Sequence, residues 1–176
     1  MAILVEAISV VVRADSIEAK FPGGWEAFRG WIQNQTLCAD GELVRIGFMS
    51  PQETRQFVEE IQAEGLTYIE GGEAKDLIVA DQQRGFVMPC SWAEFGRIPM
   101  DRDEKKIVSA ARLIDSKVEE LVTPDGWRFD GSLSDSFQLA EAGRVPEYFD
   151  FLRTENGLDV YRDIRTGKDV FIPSQK

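Results

Sequence analysis

The sequence predicts an α+β protein whose first half alternates helices with strands and whose second half is mostly strands. Its 176 residues are 43% hydrophobic and 29% charged, values typical of one globular domain or of two small ones that share a core. Apolar runs with strand character alternate with helical stripes as far as residue 84. After that point most apolar runs are short and have the spacing of strands.

The first half opens with a strand and a helical segment. Residues 3–12 form one run rich in Val and Ile, which predicts a largely buried strand. A short turn follows and ends at Pro22 and two glycines. The next segment carries Trp25 and Phe28 at helical spacing, so a sheet is expected to cover that face.

A hairpin and a capped helix come next. The dipeptide Asp40-Gly41 divides two apolar runs and suits a two-residue turn in which both residues take positive φ. Ser50 and Pro51 have the chemistry of a helix N-cap and a first helical position. Gly65 then supplies the left-handed stop that ends the helix.

Two more strands complete the first half, at residues 66–69 and 77–80, with a Gly71-Gly72 turn between them. The order strand, helix, strand, strand, helix, strand, with one strand added, is the split βαβ pattern of ferredoxin-like folds. We therefore expect residues 1–84 to form a ferredoxin-like half. Many unrelated functions share this fold, so the fold class assigns none of them.

Residues 85–176 are expected to form a β-rich half that ends in a hairpin and shares one core with the first half. Residues 85–100 predict a crossing loop with one short strand. From Asp103 to Leu121 the apolar spacing favours a helix, and a strand over 107–114 is the alternative. The remaining predictions are strands at 127–129 and 134–139, a short helix at Tyr148, Phe149 and Leu152, and a terminal hairpin of residues 158–164 and 169–172.

The absence of histidine excludes several classes of site. It rules out Ser-His and Cys-His nucleophile pairs and every metal site that depends on imidazole. Cys38 and Cys90 lie too far apart for a C-x-x-C pair and cannot form a zinc site alone. No phosphate loop or other cofactor motif occurs, so we expect no cofactor and no metal. Hydrolysis by a pair of carboxylates is the catalytic alternative, because the two acids need to be neighbours only in the folded structure and not in the sequence.

Three carboxylates occur within the four residues Asp101 to Glu104. Hard cations bind such oxygens, but the spacing lacks the pattern of a calcium loop. We interpret Asp103 and Glu104 instead as the cap and first-turn charges of the helix expected to follow them.

The sequence also predicts where the protein works. Glu6 interrupts the apolar start, which lacks a signal peptide's basic region, and no apolar run reaches the roughly 20 residues of a membrane span. We therefore expect a soluble cytoplasmic protein with two buried thiols. No cluster of Lys and Arg occurs, so neither nucleic acid nor a membrane is an expected partner.

The net charge of −11 is concentrated in one stretch. Residues 50–81 hold eight acids against Arg55 and Lys75, a net of −6. An ordinary solvated helix face explains most such charge, and the functional alternative is a docking face for a basic protein. We expect the helix acids to lie away from the face that carries Phe57 and Ile61. The candidate partner-binding residues are Glu53, Glu59, Glu60, Glu64, Glu70 and Glu73.

Three side chains in turn-rich segments are candidates for a ligand pocket: Trp92, Trp127 and Cys90. Trp31 lies off the centre of its helical stripe and is a further candidate for a pocket or an interface. Cys90 is the more reactive of the two cysteines by position, although an inert thiol is the default for both.

We expect a soluble, bacterial-type protein that is not an enzyme. It would bind a basic protein through its acidic surface, as an inhibitor, immunity protein or antitoxin does. The alternative is a small-molecule-binding protein, or a histidine-independent enzyme that uses carboxylates with or without a divalent cation. A thermal-shift screen against metals and metabolites separates the two, because a bound ligand raises the apparent stability.

Overall fold

A computed structural model of the chain describes residues 1–116, 120–136 and 149–173. The protein is mixed α+β, with about 21% helix and 42% strand in several sheets. No helix in these three ranges is long and apolar enough to cross a membrane. The chain divides into two compact units, Met1–Ile98 with Ser109–Asp125, and Pro99–Val108 with Gly126–Lys176. The division near residue 85 stays a prediction.

The first unit contains helices, one main sheet and most strands of a second, whose β9 and β10 also include residues of Pro99–Val108 in the second unit. Its helices are α1 (Ala14–Lys20), α2 (Gly24–Trp31) and α3 (Pro51–Ala63). An antiparallel sheet has the order β3-β4-β2-β7-β8, formed by Cys38–Ala39, Leu43–Phe48, Ile8–Arg13, Leu77–Asp81 and Gly85–Phe86. A second sheet has the order β11-β1-β10-β9, formed by Leu121–Val122, Ala2–Val5, Asp103–Leu113 and Ala93–Met100. A small separate hairpin consists of β5 (Ile69–Glu70) and β6 (Glu73–Ala74).

The five-stranded sheet is buried on both faces. Val10 and Val12 of β2 join a first core cluster with the helices, which contribute Phe28 among others. Val11 joins a second core cluster with Ile3 of the four-stranded sheet. A strand covered on both faces needs no polar alternation, which explains the unbroken run of valines.

The single strand predicted over residues 3–12 is wrong in one respect. β1 and β2 are separate strands in different sheets, and Ala7 between them has a φ of 49°. The apolar run is continuous because both strands are buried, so hydrophobicity alone does not mark the break.

The capped helix is confirmed. Ser50 Oγ accepts a hydrogen bond from the Glu53 backbone N–H at 3.2 Å, and Pro51 is the first residue of α3. Gly65 ends the segment with a φ of 117°.

The hairpin of β3 and β4 is also confirmed, but its turn differs from the prediction. Gly41 has a φ of 91°, whereas Asp40 is not among the residues with positive φ. Instead, Asp40 Oδ1 accepts hydrogen bonds from the backbone N–H groups of Glu42 and Leu43, at 2.8 and 2.7 Å. The aspartate therefore shapes the turn through its side chain.

The helix predicted from Asp103 to Leu121 is wrong. Asp103–Leu113 is β10, which pairs with β1 so that Ile3 faces Ala111. Asp101 and Arg102 have φ values of 52° and 60°, so they form the turn before a strand, not the cap of a helix. β9 likewise occupies eight residues in a segment expected to be mostly loop.

In the second unit, the terminal hairpin is confirmed and extended to three strands. Their antiparallel order is β12-β13-β14, formed by Phe149–Glu155, Leu158–Asp163 and Asp169–Pro173. The helix expected around Phe149 is therefore wrong. Residues 127–129 are not a strand and residues 133–136 are helical, so both strands predicted there are wrong as far as they are described. Residues 137–139 and Tyr148 lie outside the described residues.

Candidate functional site

An aromatic pocket lies where the end of α2 and the segment after it meet the end of β4 and the middle of α3. Its volume is about 380 Å³, near the lower end of the roughly 300–1,000 Å³ that small ligands occupy. It is lined by Trp31, Ile32, Gln33, Asn34, Ile46, Phe48, Phe57 and Glu60. Glu60 is the single ionisable side chain in that lining.

Three rings build the walls of the aromatic pocket. The centroid of the Phe57 ring lies 5.7 Å from that of Trp31 and 5.1 Å from that of Phe48. Phe57 is buried, whereas Trp31 and Phe48 are half-buried. Rings at these separations support one another, so the walls hold their shape without an occupant.

Helix α2 positions Trp31. The Trp31 ring packs against Phe21 at 5.3 Å and against Phe28 at 6.0 Å. The N-cap of this helix is a glycine without a side-chain cap, and Glu18 Oε1 accepts a hydrogen bond from the Trp25 backbone N–H at 3.4 Å instead. A carboxylate at this end also favours the helix dipole.

Asn34 holds the segment after α2 against β4. Its Nδ2 donates a hydrogen bond to the Gly47 carbonyl at 2.6 Å. Its Oδ1 accepts from the Thr36 backbone N–H at 2.8 Å and from Thr36 Oγ1 at 2.6 Å. These contacts use the amide for structure, so Asn34 shapes the rim of the aromatic pocket.

A buried arginine anchors the same segment from the other side. Arg45 Nε donates to Ser9 Oγ and Arg45 Nη2 to the Glu6 carbonyl, both at 2.9 Å. Arg45 Nη1 donates to the Thr36 carbonyl at 3.3 Å. Gly47 leaves room for this side chain, because a Cβ there would lie 2.8 Å from Arg45 Cζ. These bonds tie β2, β4 and the segment beside the pocket together.

Helix α3 supplies the carboxylate. Glu53, Phe57, Glu60 and Glu64 follow at spacings of four, three and four residues, which places them within about 60° of one another around a helix. We call Glu53, Glu60 and Glu64 the acidic stripe. The expectation that these acids lie away from the Phe57 face is wrong for Glu60, because Glu60 and Phe57 line the same pocket.

The acids of the acidic stripe form no ion pair with any Lys or Arg that the structure describes. Glu60 Oε1 accepts a hydrogen bond from Gln56 Nε2 at 3.1 Å, and this neutral amide is its partner. Within residues 1–116, 120–136 and 149–173, no Lys or Arg forms an ion pair with an acid of the stripe.

The other three predicted acids lie elsewhere. Glu59 is exposed and sits about 100° from Glu60 around the helix. Glu70 and Glu73 face each other across the β5–β6 hairpin, and Glu70 forms an ion pair with Lys75. Of the six predicted acids, Glu60 therefore lines the aromatic pocket, and Glu53 and Glu64 lie on the same side of the helix by their spacing.

The predicted ligand-pocket residues do not line the aromatic pocket. Trp92 Nε1 donates to the Ala74 carbonyl at 3.1 Å, and the Arg13 guanidinium lies 5.5 Å from the Trp92 ring centre. Trp92 and Cys90 both pack against the second core cluster. Trp127 belongs to the second unit and is half-buried there.

Neither thiol is suited to nucleophilic chemistry. Both cysteines are free. Burial raises the pKa of Cys38 to about 12, against the opposing effect of Arg45. Burial also raises the pKa of Cys90, although backbone N–H groups of Trp92 and Ala93 oppose the change. Both side chains are therefore protonated at neutral pH, and the thiolate is the reactive form.

Other acids in the described residues form ion pairs with arginines. Glu94 pairs with Arg112 beside a second cavity of about 320 Å³. In the second unit, Arg165 Nη2 lies 2.8 Å from an oxygen of each of two buried carboxylates, Asp135 and Asp163. No group of three or more acids or cysteines in the described ranges is placed to hold a metal ion.

The comparisons with known proteins add no family. No protein-family model matches the chain, and neither a curated protein nor a solved structure is significantly similar to it. The function is therefore argued from the chemistry of the aromatic pocket and the acidic stripe. The sequence contains a signal for each part, the off-centre Trp31 and the acid-rich helix. It contains no signal that Trp31, Phe48 and Glu60 line one pocket.

Proposed function

We propose that this protein is a non-catalytic binding module that recognises a basic protein through the acidic stripe of α3, as an inhibitor, immunity protein or antitoxin does. One observation carries the proposal. Glu60 lines an aromatic pocket and has no cationic partner among residues 1–116, 120–136 and 149–173, and Glu53 and Glu64 lie on the same side of the helix.

Repulsion within the stripe supports the proposal energetically. Glu60 and Glu64 are four residues apart, a spacing at which like charges on a helix cost a few tenths of a kcal/mol. Other acids of the first unit form ion pairs, Glu70 with Lys75 and Asp76 with Lys20. A basic partner would relieve the repulsion within the stripe on binding.

The charge of the whole chain acts in the same direction. A net charge of −11 attracts a basic protein at long range and raises the association rate, and added salt weakens this attraction. The short-range contacts at the pocket would then decide which basic protein stays bound.

We infer, in the same proposal, that the first half is ferredoxin-like. The antiparallel order β3-β4-β2-β7 supports this, with α1 and α2 between β2 and β3, and α3 between β4 and β7. β8, at the edge beside β7, lies beyond residue 84 and is not the strand that the sequence analysis added within residues 3–81. In this arrangement the helices share one face of the sheet, and α2 and α3 border the aromatic pocket.

The aromatic pocket by itself favours a second candidate, binding of a small molecule, because its volume suffices for one. Carboxylate-pair catalysis has less support here, since Glu60 is the single acid among the described residues of the lining and such chemistry needs two. A thermal-shift screen against metals and metabolites tests this candidate. A rise of several degrees with one compound would favour it over protein binding.

The test of the proposal compares two variants that remove equal charge. The stripe variant is Glu53→Gln/Glu60→Gln/Glu64→Gln, and the control is Glu26→Gln/Glu42→Gln/Asp125→Asn, three exposed acids outside the stripe. The immobilised wild-type chain is used to retain proteins from a lysate of the organism that encodes it. Each basic protein identified is purified, and its affinity for all three chains is measured between 50 and 300 mM salt, about the range in which screening changes most.

We expect the stripe variant to bind the basic partner roughly tenfold more weakly or worse, with a flatter salt dependence. The control variant should lose less than half of that effect, through the change in net charge alone. Equal affinities of the wild-type chain and the stripe variant would refute the proposal, as would equal losses in the two variants.

A further inference from the structure

We propose that the aromatic pocket receives an arginine side chain of the basic partner. This inference rests on the proposed function and specifies which group of the partner enters the pocket. It is carried by the combination of three aromatic walls and one carboxylate in a single cavity.

A cation suits the pocket better than an apolar side chain does. Glu60 is exposed and bonded to the neutral Gln56 amide, so an apolar occupant would remove water from its carboxylate without replacing the lost interaction. A cation supplies that interaction. Glu53 and Glu64 on the same stripe strengthen the negative field at the mouth.

The walls of the pocket attract the same kind of group. The rings of Trp31, Phe48 and Phe57 belong to residues that line the cavity, and tryptophan is the strongest of the aromatic partners for a cation. The apolar part of a long basic side chain would contact the rings while its charged end meets Glu60.

Arginine satisfies both features at once, whereas lysine satisfies each less completely. The guanidinium is planar, stacks on aromatic rings and presents two parallel N–H groups to a carboxylate. An ammonium is compact and more strongly hydrated, so more of its solvation is lost between aromatic walls. The Gln56 amide donates one hydrogen bond to Glu60 Oε1. A carboxylate accepts about four hydrogen bonds in all, so Glu60 can still accept two from a guanidinium.

The test uses blocked amino acids as probes of the full chain. N-acetyl-arginine amide, N-acetyl-lysine amide and N-acetyl-citrulline amide are titrated separately, and the indole N–H signal of Trp31 is followed by heteronuclear NMR. Citrulline is the neutral counterpart of arginine with nearly the same shape. The Trp31 signal is assigned from its absence in Trp31→Phe.

We expect the arginine probe to shift the Trp31 signal in a saturable way and to bind about fivefold more tightly than the citrulline probe. The lysine probe should bind more weakly than the arginine probe. In Glu60→Gln the arginine probe should lose about fivefold in affinity while the citrulline probe changes little, since the interaction lost is with a charge. Glu59→Gln, one residue away and outside the pocket, should behave as the wild-type chain does.

Equal binding of the arginine and citrulline probes would overturn the inference, as would lysine binding as tightly as arginine. An arginine probe that leaves the Trp31 signal unchanged, or an affinity that Glu60→Gln does not alter, would do the same. The two proposals fail separately. Loss of partner affinity in the stripe variant without arginine selectivity overturns the inference alone, whereas arginine selectivity with no loss of partner affinity overturns the proposed function.

Discussion

At the residue scale, a buried cation organises the surroundings of the aromatic pocket without lining it. Arg45 is 3% exposed, and its hydrogen bonds reach β2 and the segment after α2. Burying a charge without partners costs several kcal/mol of stability. The residues around Arg45 therefore supply hydrogen-bond acceptors and leave space for its guanidinium. Gly47 is one of those neighbours, and its missing side chain is what admits the guanidinium.

The first prediction concerns this fit. Gly47→Ala should lower the free energy of unfolding by about 1–3 kcal/mol, because the new Cβ overlaps Arg45 and forces it from its hydrogen bonds. Urea denaturation measures the change. Gly30→Ala is the matched control, since its Cβ meets nothing within 4 Å and lies in α2. It should be neutral or stabilise by up to about 1 kcal/mol, and equal losses at the two glycines would contradict the explanation.

The second prediction concerns Asp76, whose carboxylate accepts hydrogen bonds from Lys20, Ser16 and the Thr67 backbone N–H. Burial alone would raise the pKa of Asp76, but these bonds outweigh it and hold the pKa below its ordinary value. The stabilisation is therefore complete above the unfolded-state pKa of about 3.9 and is lost as the pH falls through the lower folded-state pKa.

Asp76→Asn should accordingly cost about 2–4 kcal/mol at pH 7, near the lower end for a broken buried pair because Lys20 is one-third exposed. The difference from the wild-type chain should shrink as the pH falls from about 4 towards 3. Unfolding measured across this range checks the sign. Asp15→Asn, which removes an exposed pair with Arg13, should have little effect at any pH. A deficit for Asp76→Asn that stays constant with pH would be evidence against the role of ionised Asp76.

At the element scale, α3 links a local sequence signal to the site. Its N-cap is set by Ser50 and Pro51, and its buried face by Phe57, Val58 and Ile61. The acidic stripe follows from the same helical spacing. The cap fixes where the helix begins, and burial of Phe57, Val58 and Ile61 against the core sets which acid reaches the aromatic pocket.

The third prediction tests the cap. Ser50→Ala should cost about 1 kcal/mol of unfolding free energy, because the Glu53 backbone N–H loses its acceptor. Ser50→Asp should keep most of the stability, since its carboxylate accepts the same bond and favours the helix dipole. Chemical denaturation of the three chains checks this order. Similar losses in both variants would mean that the hydroxyl acts by another route.

The element that sequence analysis misassigned is β10, and its burial explains the error. Residues Val108 to Ala111 are all buried, so the strand shows no alternation of apolar and polar side chains. Without that period, a stripe of apolar residues resembles a helix face. The pairing that decides the matter comes from β1, about a hundred residues earlier in the chain. A window of local sequence does not contain that partner.

At the scale of the whole molecule, the two faces of the five-stranded sheet have different roles. One face carries the helices and the aromatic pocket, and the other packs against the four-stranded sheet. The charge is also unevenly distributed along the chain, since residues 50–81 carry a net charge of −6 out of the total of −11. We expect long-range attraction of a basic partner to be a property of the whole chain and its selection to be a property of the pocket.

Local chemistry in the sequence determined the α+β class, the cap and stop of α3, the β3–β4 hairpin and the terminal hairpin, because each depends on neighbours within a few residues. It also determined the absence of histidine chemistry. Tertiary structure alone decided that Glu60 lines one pocket with Trp31, Phe48 and Phe57. It also decided that residues 3–12 form strands in two different sheets and that β10 is a strand. These outcomes depend on which distant surfaces pack together, and packing is set by the free energy of the whole fold, not by any one segment.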